Sequence, residues 1–326
     1  MEFLFNIVIE KPFLELKDQI NLLKSRGLVF DDDEEAQKYL LMNNYYNVIN
    51  CYSKFFCINE DKYLENTNFN EIIAVHIFDK EIKNILLKNI ITVENYFRSI
   101  LAYCYSKKLG NEKFAYINED NYERSHYYEY IKLIKDLSGL IDNKFIESNN
   151  AINHYITKHG ELPIWVLCEF MTFGQTLGLF NCVTLNIKAD VTHKINDLIN
   201  ENLSTNTIRL STEQLHKILD NIKNIRNVAA HNNKLFDYKC RYNYNYLKEL
   251  HEQYNISNCF CMNDVYNTFI ILRIFIGEKQ YANMHNAIRK RVGNLSRALK
   301  TISVDDVISS FGFPNNWYKN SRKIVK

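Results

Sequence analysis

The chain has 326 residues, a formal net charge of +2, 46% hydrophobic and 24% charged side chains, and 13% aromatics. That balance supplies a sizeable core and excludes global disorder. Only 9 Gly and 3 Pro occur, against about 23 and 16 at average usage, which excludes collagen-like or linker-rich chains and favours long helices over turn-rich β architectures.

The opening MEFLFNIVIEKPF has no basic region before its apolar run and is not a secretory signal. Residues 12–27 place Phe13, Leu16, Ile20 and Leu23 at helical spacing, with Pro12 near the start and Gly27 past the end. The run Asp31-Asp32-Asp33-Glu34-Glu35 suits the N-terminus of a second helix, which continues to Asn44-Tyr45-Tyr46. The two form a small helix-turn-helix-like unit without a basic recognition helix, so no DNA partner is expected. Residues 70–106 read as one long helix with Ile73, Ile77, Ile82, Ile85, Ile90, Val93, Phe97 and Leu101 on its stripe. Glu94 and Arg98 are four apart on it and can pair.

Residues 122–148 read as a helix, and Pro163 opens another through Phe180. Glu169 stands inside that apolar segment and needs a partner: either Arg98, structurally, or a functional site. Trp165 and Trp317 are expected to pack. Ser211, with Gln214 three residues on, has capping-box spacing and opens a helix carrying Leu215, Ile218, Leu219, Ile222, Ile225 and Ala229. Residues 263–277 and 281–300 give two more. Period-2 alternation is rare, so the fold is all-α. No stretch reaches the ~20 apolar residues of a membrane span, and a cytoplasmic, membrane-free protein is expected.

The eight Cys are scattered, mostly in apolar contexts, and read as buried reduced thiols. The one close pair, Cys259-Phe260-Cys261, lacks the second pair a zinc site needs, so no metal and no cofactor is expected. Charge is uneven: residues 1–93 carry a net −5 and residues 273–326 a net +8. The basic segment includes Arg289-Lys290-Arg291, Arg297, Lys300, Lys319, Arg322, Lys323 and Lys326. It is either a polyanion-binding patch or a solvated face balancing the acidic N-terminal region.

Chemistry concentrates in Asn224-Ile225-Arg226-Asn227-Val228-Ala229-Ala230-His231. An Arg followed by a His within a few residues is a weak pattern; Arg209 and His216 also match it, but across a helix start. The wider context is more specific. Arg226-Asn227, then Ala229-Ala230-His231 and Leu235-Phe236, resembles the nuclease motif of HEPN proteins. Leu40-Leu41-Met42-Asn43-Asn44-Tyr45-Tyr46, Pro163 to Glu169 continuing to Phe173-Gly174, Gly312-Phe313-Pro314-Asn315-Asn316-Trp317, and Glu94 with Arg98-Ser99 resemble, in that order apart from the last, blocks of the Abi-like abortive-infection family that contains AbiD and AbiF. The resemblance spans about residues 12–317. It implies a HEPN-like helical bundle, an endoribonuclease acting in phage defence without metal, and a small non-coding RNA as partner. It also implies a homodimer, because paired HEPN folds face two motifs and this chain has one.

The residues fit that chemistry. Metal-free RNA cleavage uses the 2′-hydroxyl as nucleophile, so it needs a proton carrier titrating near neutrality, as His231 does. It also needs a fixed cation beside the phosphate, as Arg226 provides. Asn227 could orient the phosphate or the imidazole, while Glu169 or Glu94 could set the His tautomer or hold Arg226. Lys234, Arg289, Lys290, Arg291 and Arg297 are the candidate RNA contacts. On an ideal helix Arg226 and His231 point about 140° apart. They converge only if the helix ends there, which Asn232-Asn233 could arrange by adopting a left-handed conformation, or if two copies share one cleft. The expected organisation is an N-terminal helical region over 1–70, the HEPN-like core over 71–250 and a basic helical region over 251–326. The competing reading is a non-catalytic RNA-binding protein of the same fold, holding a small structured RNA.

Overall fold

Buried apolar residues recur every three or four positions from Phe69 through Ile72, Val75, Phe78, Ile82, Leu86, Ile90, Val93, Phe97 and Leu101 to Tyr105. This spacing generates the longest element, the 41-residue helix α3 (Phe69–Leu109). The computed structural model describes residues 13–59, 61–110, 112–147, 149–257 and 262–325. Apart from a short antiparallel hairpin of β1 (Cys57–Asn59) and β2 (Lys62–Tyr63), its regular elements are helical, which makes the fold all-α. Two compact units are distinguished, Met1–Ile82 with Arg289–Arg322, and Lys83–Ile288 with Lys323–Lys326.

In the first unit, α1 (Leu16–Ser25) buries Ile20 and Leu23. Gly27, at φ +93°, closes it, and the Leu28 amide returns to the Leu23 carbonyl at 3.1 Å. Only a residue without a Cβ takes that φ freely. The side chain of Asp32 then accepts the Glu34 and Glu35 amides and caps α2 (Asp33–Asn43). Phe13 is exposed, and Pro12 lies outside the described residues. The expected stripe of α3 is shifted in this unit: Ile77 is exposed, while Ile72, Val75 and Phe78 are buried. His76 and Asp79 are buried beside them, so the helix is enclosed on more than one face and a single apolar stripe does not describe it. After α12 (Glu278–Ala298), a Ser303–Asp306 capping box opens α13 (Val304–Ile308), and Trp317 of α14 (Trp317–Asn320) packs edge-on against Phe313.

The second unit contains α4 (Tyr127–Ile146), α5 (Ala151–His159), α6 (Ile164–Leu167), α7 (Phe173–Cys182), α8 (Leu185–Leu203), α9 (Thr212–Ala230), α10 (Lys248–His251) and α11 (Val265–Phe275). The helix expected from Pro163 through Phe180 is broken. It stops in a 3-10 turn at Cys168–Phe170; Met171 is extended, and Thr172 with Gln175 forms a complete capping box that starts α7. Glu169 therefore sits on an exposed turn and not inside an apolar helix.

Helix α8 was not anticipated from the sequence. Its buried Ile187, Val191, Ile195 and Ile199 are each followed by a buried polar residue, Lys188, Thr192, Asn196 and Asn200, which masks the stripe. Two of those polar residues have a clear task. Asn196 bonds both backbone groups of Leu210, at 3.0 and 2.9 Å, and Asn200 bonds both of Ile208, at 3.0 and 3.1 Å. These amides replace the missing strand partner of segment 208–210 and fix the entry to α9, where Ser211 and Gln214 form the expected capping box. α8 packs on α9 and α11, and α4 packs on α7.

The described cysteines are free, and Cys104, Cys168, Cys182 and Cys240 are buried. Burial pushes the Cys168 thiol up to about 12 and those of Cys182 and Cys240 to about 11, so they are inert apolar groups at neutral pH. Cys259 and Cys261 lie outside the described residues. Burial also lowers the pKa of His216 and His251 from 6.5. The unfolded chain then takes up protons that the folded chain refuses, so stability is full above pH 6.5 and falls as pH drops below it. Melting curves from pH 8 to pH 5 are expected to show a falling Tm, with a shallower fall in a His216→Gln variant.

Candidate functional site

Helix α9 ends one residue before His231, in a left-handed cap. The His231 amide donates to the Asn227 carbonyl at 3.0 Å, Asn232 adopts φ +56°, and the Asn233 amide returns to the Val228 carbonyl at 3.0 Å. This is a Schellman turn with Asn in the position usually held by Gly. Buried Lys83 of α3 holds it, with Nζ 2.8 Å from Asn232 Oδ1. Leu235 and Phe236, both buried, anchor the chain beyond, and exposed Lys234 lies over the Phe236 ring. His231 and Asn227 are exposed.

One turn back, Arg226 faces α3. Its Nε is 3.7 Å from Oε2 of Glu94, whose side chain is 7% exposed. The other carboxylate oxygen of Glu94 accepts from Arg98 Nη2 at 2.9 Å, and that same nitrogen donates to the Met171 carbonyl at 3.1 Å. One buried carboxylate thus serves two guanidinium groups and leaves one positive charge in excess. The Nε atoms of both Arg98 and Arg226 lack a hydrogen-bond partner. The Arg226 side chain is 33% exposed, so its terminal amines are open to an anion. Lys83 and Glu94 are eleven residues apart, about three turns along one face of α3. They fix Asn232 and Arg226, respectively, and so hold the last turns of α9 at two points.

The structure brings Arg226, Glu94 and Arg98 together and leaves Glu169 out. Arg98 is taken by Glu94 and the Met171 carbonyl, so the expected Glu169–Arg98 pair is not formed. The physical reason is the break at Met171, which turns Glu169 to solvent and presents a backbone carbonyl in its place. The end of α9 does not bring Arg226 and His231 into line. The His231 amide still makes the i→i−4 bond to Asn227, and on helical geometry the two residues leave α9 about 140° apart. The chain reverses only after His231. The sequence reading missed Lys83 and the Met171 carbonyl; a lysine on the buried stripe of α3 was the available signal.

In the first unit, the basic residues are less free than the sequence suggests. Arg289 Nε donates to the Ser321 carbonyl at 2.6 Å and its guanidinium covers Tyr318, while Arg291 pairs with Glu81 at 3.0 Å. Lys290 and Arg297 are exposed.

Replacing Asn232 by Ala is expected to cost about 1–2 kcal/mol, because Ala lacks the short polar side chain that lets Asn take the left-handed region and also loses the bond from Lys83. Asn232→Gly takes the left-handed region freely and loses only the bond from Lys83 to Oδ1, while the backbone carbonyl stays 3.4 Å from Lys83 Nζ. Urea unfolding should rank Gly above Ala.

The fold is all-α, and Glu94, Arg98 and Arg226 form a charged constellation near the capped end of α9. The chain belongs to the Abi-like protein family, whose model matches residues 38–237, a family associated with abortive infection in phage defence. The match contains Leu40–Tyr46, Glu94, Arg98, Pro163–Gly174 and Arg226–Leu235-Phe236. No curated protein and no solved structure matches the chain. Among the described residues no helix is long and apolar enough to cross a membrane.

Proposed function

We propose that this Abi-like chain is a phage-defence effector that cleaves RNA at the end of α9, as a HEPN endoribonuclease acting without metal. The observation that supports the reading is the buried Glu94 carboxylate shared between Arg98 and Arg226, which holds a half-buried guanidinium five residues before an exposed histidine at the end of α9. A guanidinium so placed binds a scissile phosphate and steadies the charge that builds on it. His231 moves the protons. The 2′-oxygen attacks phosphorus, the P–O5′ bond breaks, and the products are a 2′,3′-cyclic phosphate and a 5′-hydroxyl.

The 140° divergence of Arg226 and His231 favours a homodimer, in which the Arg226 of one copy and the His231 of the other share a phosphate across a two-fold axis. A small structured RNA is the proposed partner, with Lys234, Lys290 and Arg297 as its exposed cationic contacts. The test is cleavage of RNA by the purified full chain in EDTA, with end-group analysis. Cyclic-phosphate ends support the reading. RNA binding without cleavage, unaffected by His231→Ala, would instead show a non-catalytic RNA-binding protein.

A further inference from the structure

In the second unit, the register of α8 on α9 brings a buried lysine to a histidine. Back along α8 in steps of four, Asn200 bonds Ile208, Asn196 bonds Leu210, and the Thr192 hydroxyl lies 3.2 Å from that of Thr212. The next step on that face of α8 is Lys188, and the next turn of α9 is His216. Lys188 is 6% exposed, and burial lowers its pKa. It forms no ion pair among the described residues; the carboxylate nearest to it, Glu123, accepts the Leu185 amide at 2.6 Å. A buried ammonium without a paired charge is costly. His216 is half-buried, and its Nδ1 has no hydrogen-bond partner.

A further cation comes from the chain beyond α9. Asn221 bonds both backbone groups of Tyr242, at 2.8 and 3.2 Å, and fixes that segment on the helix. The Arg241 guanidinium lies 5.2 Å from the centre of the Tyr242 ring. Arg241 is exposed and has no carboxylate partner among the described residues. Burial lowers the His216 pKa, Asp220 opposes that, and the charges of Lys223, Lys188 and Arg241 add to it, so these cations all lie within electrostatic reach of the ring. The Asp220 carboxylate is taken by Lys223 and by Asn224, the latter at 3.1 Å. Lys188 and Arg241 are left without a counter-charge.

The chemistry of the occupant follows. A cation would be repelled, and a neutral molecule would leave both charges unpaired. An anion pairs with Lys188 and Arg241 and accepts from the imidazole. The rest of α9 says which anion. On an ideal helix His216, Asp220, Lys223, Asn227 and His231 fall within about 80° of one another, with about 22 Å from His216 to His231. One polar face thus joins this cluster to the end of α9, and a chain of phosphates uses all of it where a single free anion does not. We propose that Lys188, His216 and Arg241 form a second phosphate-binding point for the substrate RNA, which runs along this face of α9 toward His231. The proposal rests on the ribonuclease reading for its substrate.

The test is binding of a single-stranded RNA of about 12 nucleotides to the full chain carrying His231→Ala, read by fluorescence anisotropy between about 50 and 200 mM salt. Arg241→Gln and Lys188→Gln are each expected to weaken binding by about fivefold or more. Each should also flatten the slope of log K against log salt by about 0.7, the share of one single-strand phosphate contact. With His231 intact, both variants should raise KM for that RNA and leave kcat unchanged. A dinucleotide carries only the scissile phosphate, so its cleavage should not change. Arg241 is exposed, so Arg241→Gln decides the matter if Lys188→Gln lowers the melting temperature. The proposal is overturned if Arg241→Gln keeps the affinity and salt slope of the unaltered site, if dinucleotide cleavage falls as far as that of the longer RNA, or if no RNA binds. The expected slopes without any cleavage would uphold the phosphate point and remove the ribonuclease reading; cleavage indifferent to both variants would do the reverse.

Discussion

RNA cleavage is expected to fall by about 10²–10⁴-fold in His231→Ala, the range that general acid–base catalysis contributes. Arg226→Ala is expected to lose about 10²–10³-fold, and Arg226→Lys should not restore it, because a guanidinium is a planar fork that an ammonium cannot copy. His231 is exposed and caps α9 through its backbone, so its side chain can be removed with little cost to the fold. The two inactive variants also test the composite cleft. If each cleft takes Arg226 from one copy and His231 from the other, a mixed dimer of His231→Ala and Arg226→Ala contains one intact cleft. After subunit exchange an equal mixture should recover about a quarter of wild-type activity, since half of the dimers are mixed and each has one working site. If both residues act within one chain, the mixture stays inactive. Recovery near zero would remove the shared cleft while leaving the nuclease reading to the single-variant assays.

The largest loss of stability is expected from Glu94→Ala, about 3–5 kcal/mol. Its carboxylate is 7% exposed, accepts from Arg98 at 2.9 Å and lies 3.7 Å from Arg226. Without it, two guanidinium groups are left beside each other, and the Arg98 side chain is only 12% exposed. Glu94→Gln preserves an acceptor for Arg98 and removes the charge that holds Arg226. It should therefore unfold at a urea concentration between those of the wild type and Glu94→Ala. Its kcat should still fall by about tenfold or more, because a displaced guanidinium costs rate out of proportion to stability. A Glu94→Gln enzyme with wild-type kcat would show that Glu94 supports the helix pair alone and does not position Arg226.

Much of the architecture was readable in the chain because it is local. The Asp32 cap of α2, the Gly27 turn and the Ser211–Gln214 capping box each depend on residues within a few positions of one another. The readings that failed share a different cause. Helix α8 hid behind buried Lys188, Thr192, Asn196 and Asn200; the partners of Asn196 and Asn200 lie on the separate segment 208–210, and Thr192 reaches Thr212 at the start of α9. The long segment from Pro163 was read by its apolarity. The capping box at Thr172 was present in the letters, but the apolar residues on both sides of it outweighed it. Glu169 was accordingly placed inside a helix when it belongs to an exposed turn.

The same division holds at the site. The sequence by itself determined the helical class and the pairing of Glu94 with Arg98 four residues on, and it offered Asn232-Asn233 as a left-handed helix end, because each follows from helix periodicity and intrinsic backbone preference; Arg226, Asn227 and His231 it named as candidates, from a resemblance. Only the tertiary structure decided that Glu94 also serves Arg226, that Lys83 pins Asn232, that the Met171 carbonyl takes the place considered for Glu169, and that Ser321 and Glu81 engage Arg289 and Arg291. Lys83 is 149 residues from Asn232 along the chain, and no local preference encodes such a contact. It exists because the packing of apolar faces brings distant buried polar groups together, where each must find a partner or leave its charge unpaired.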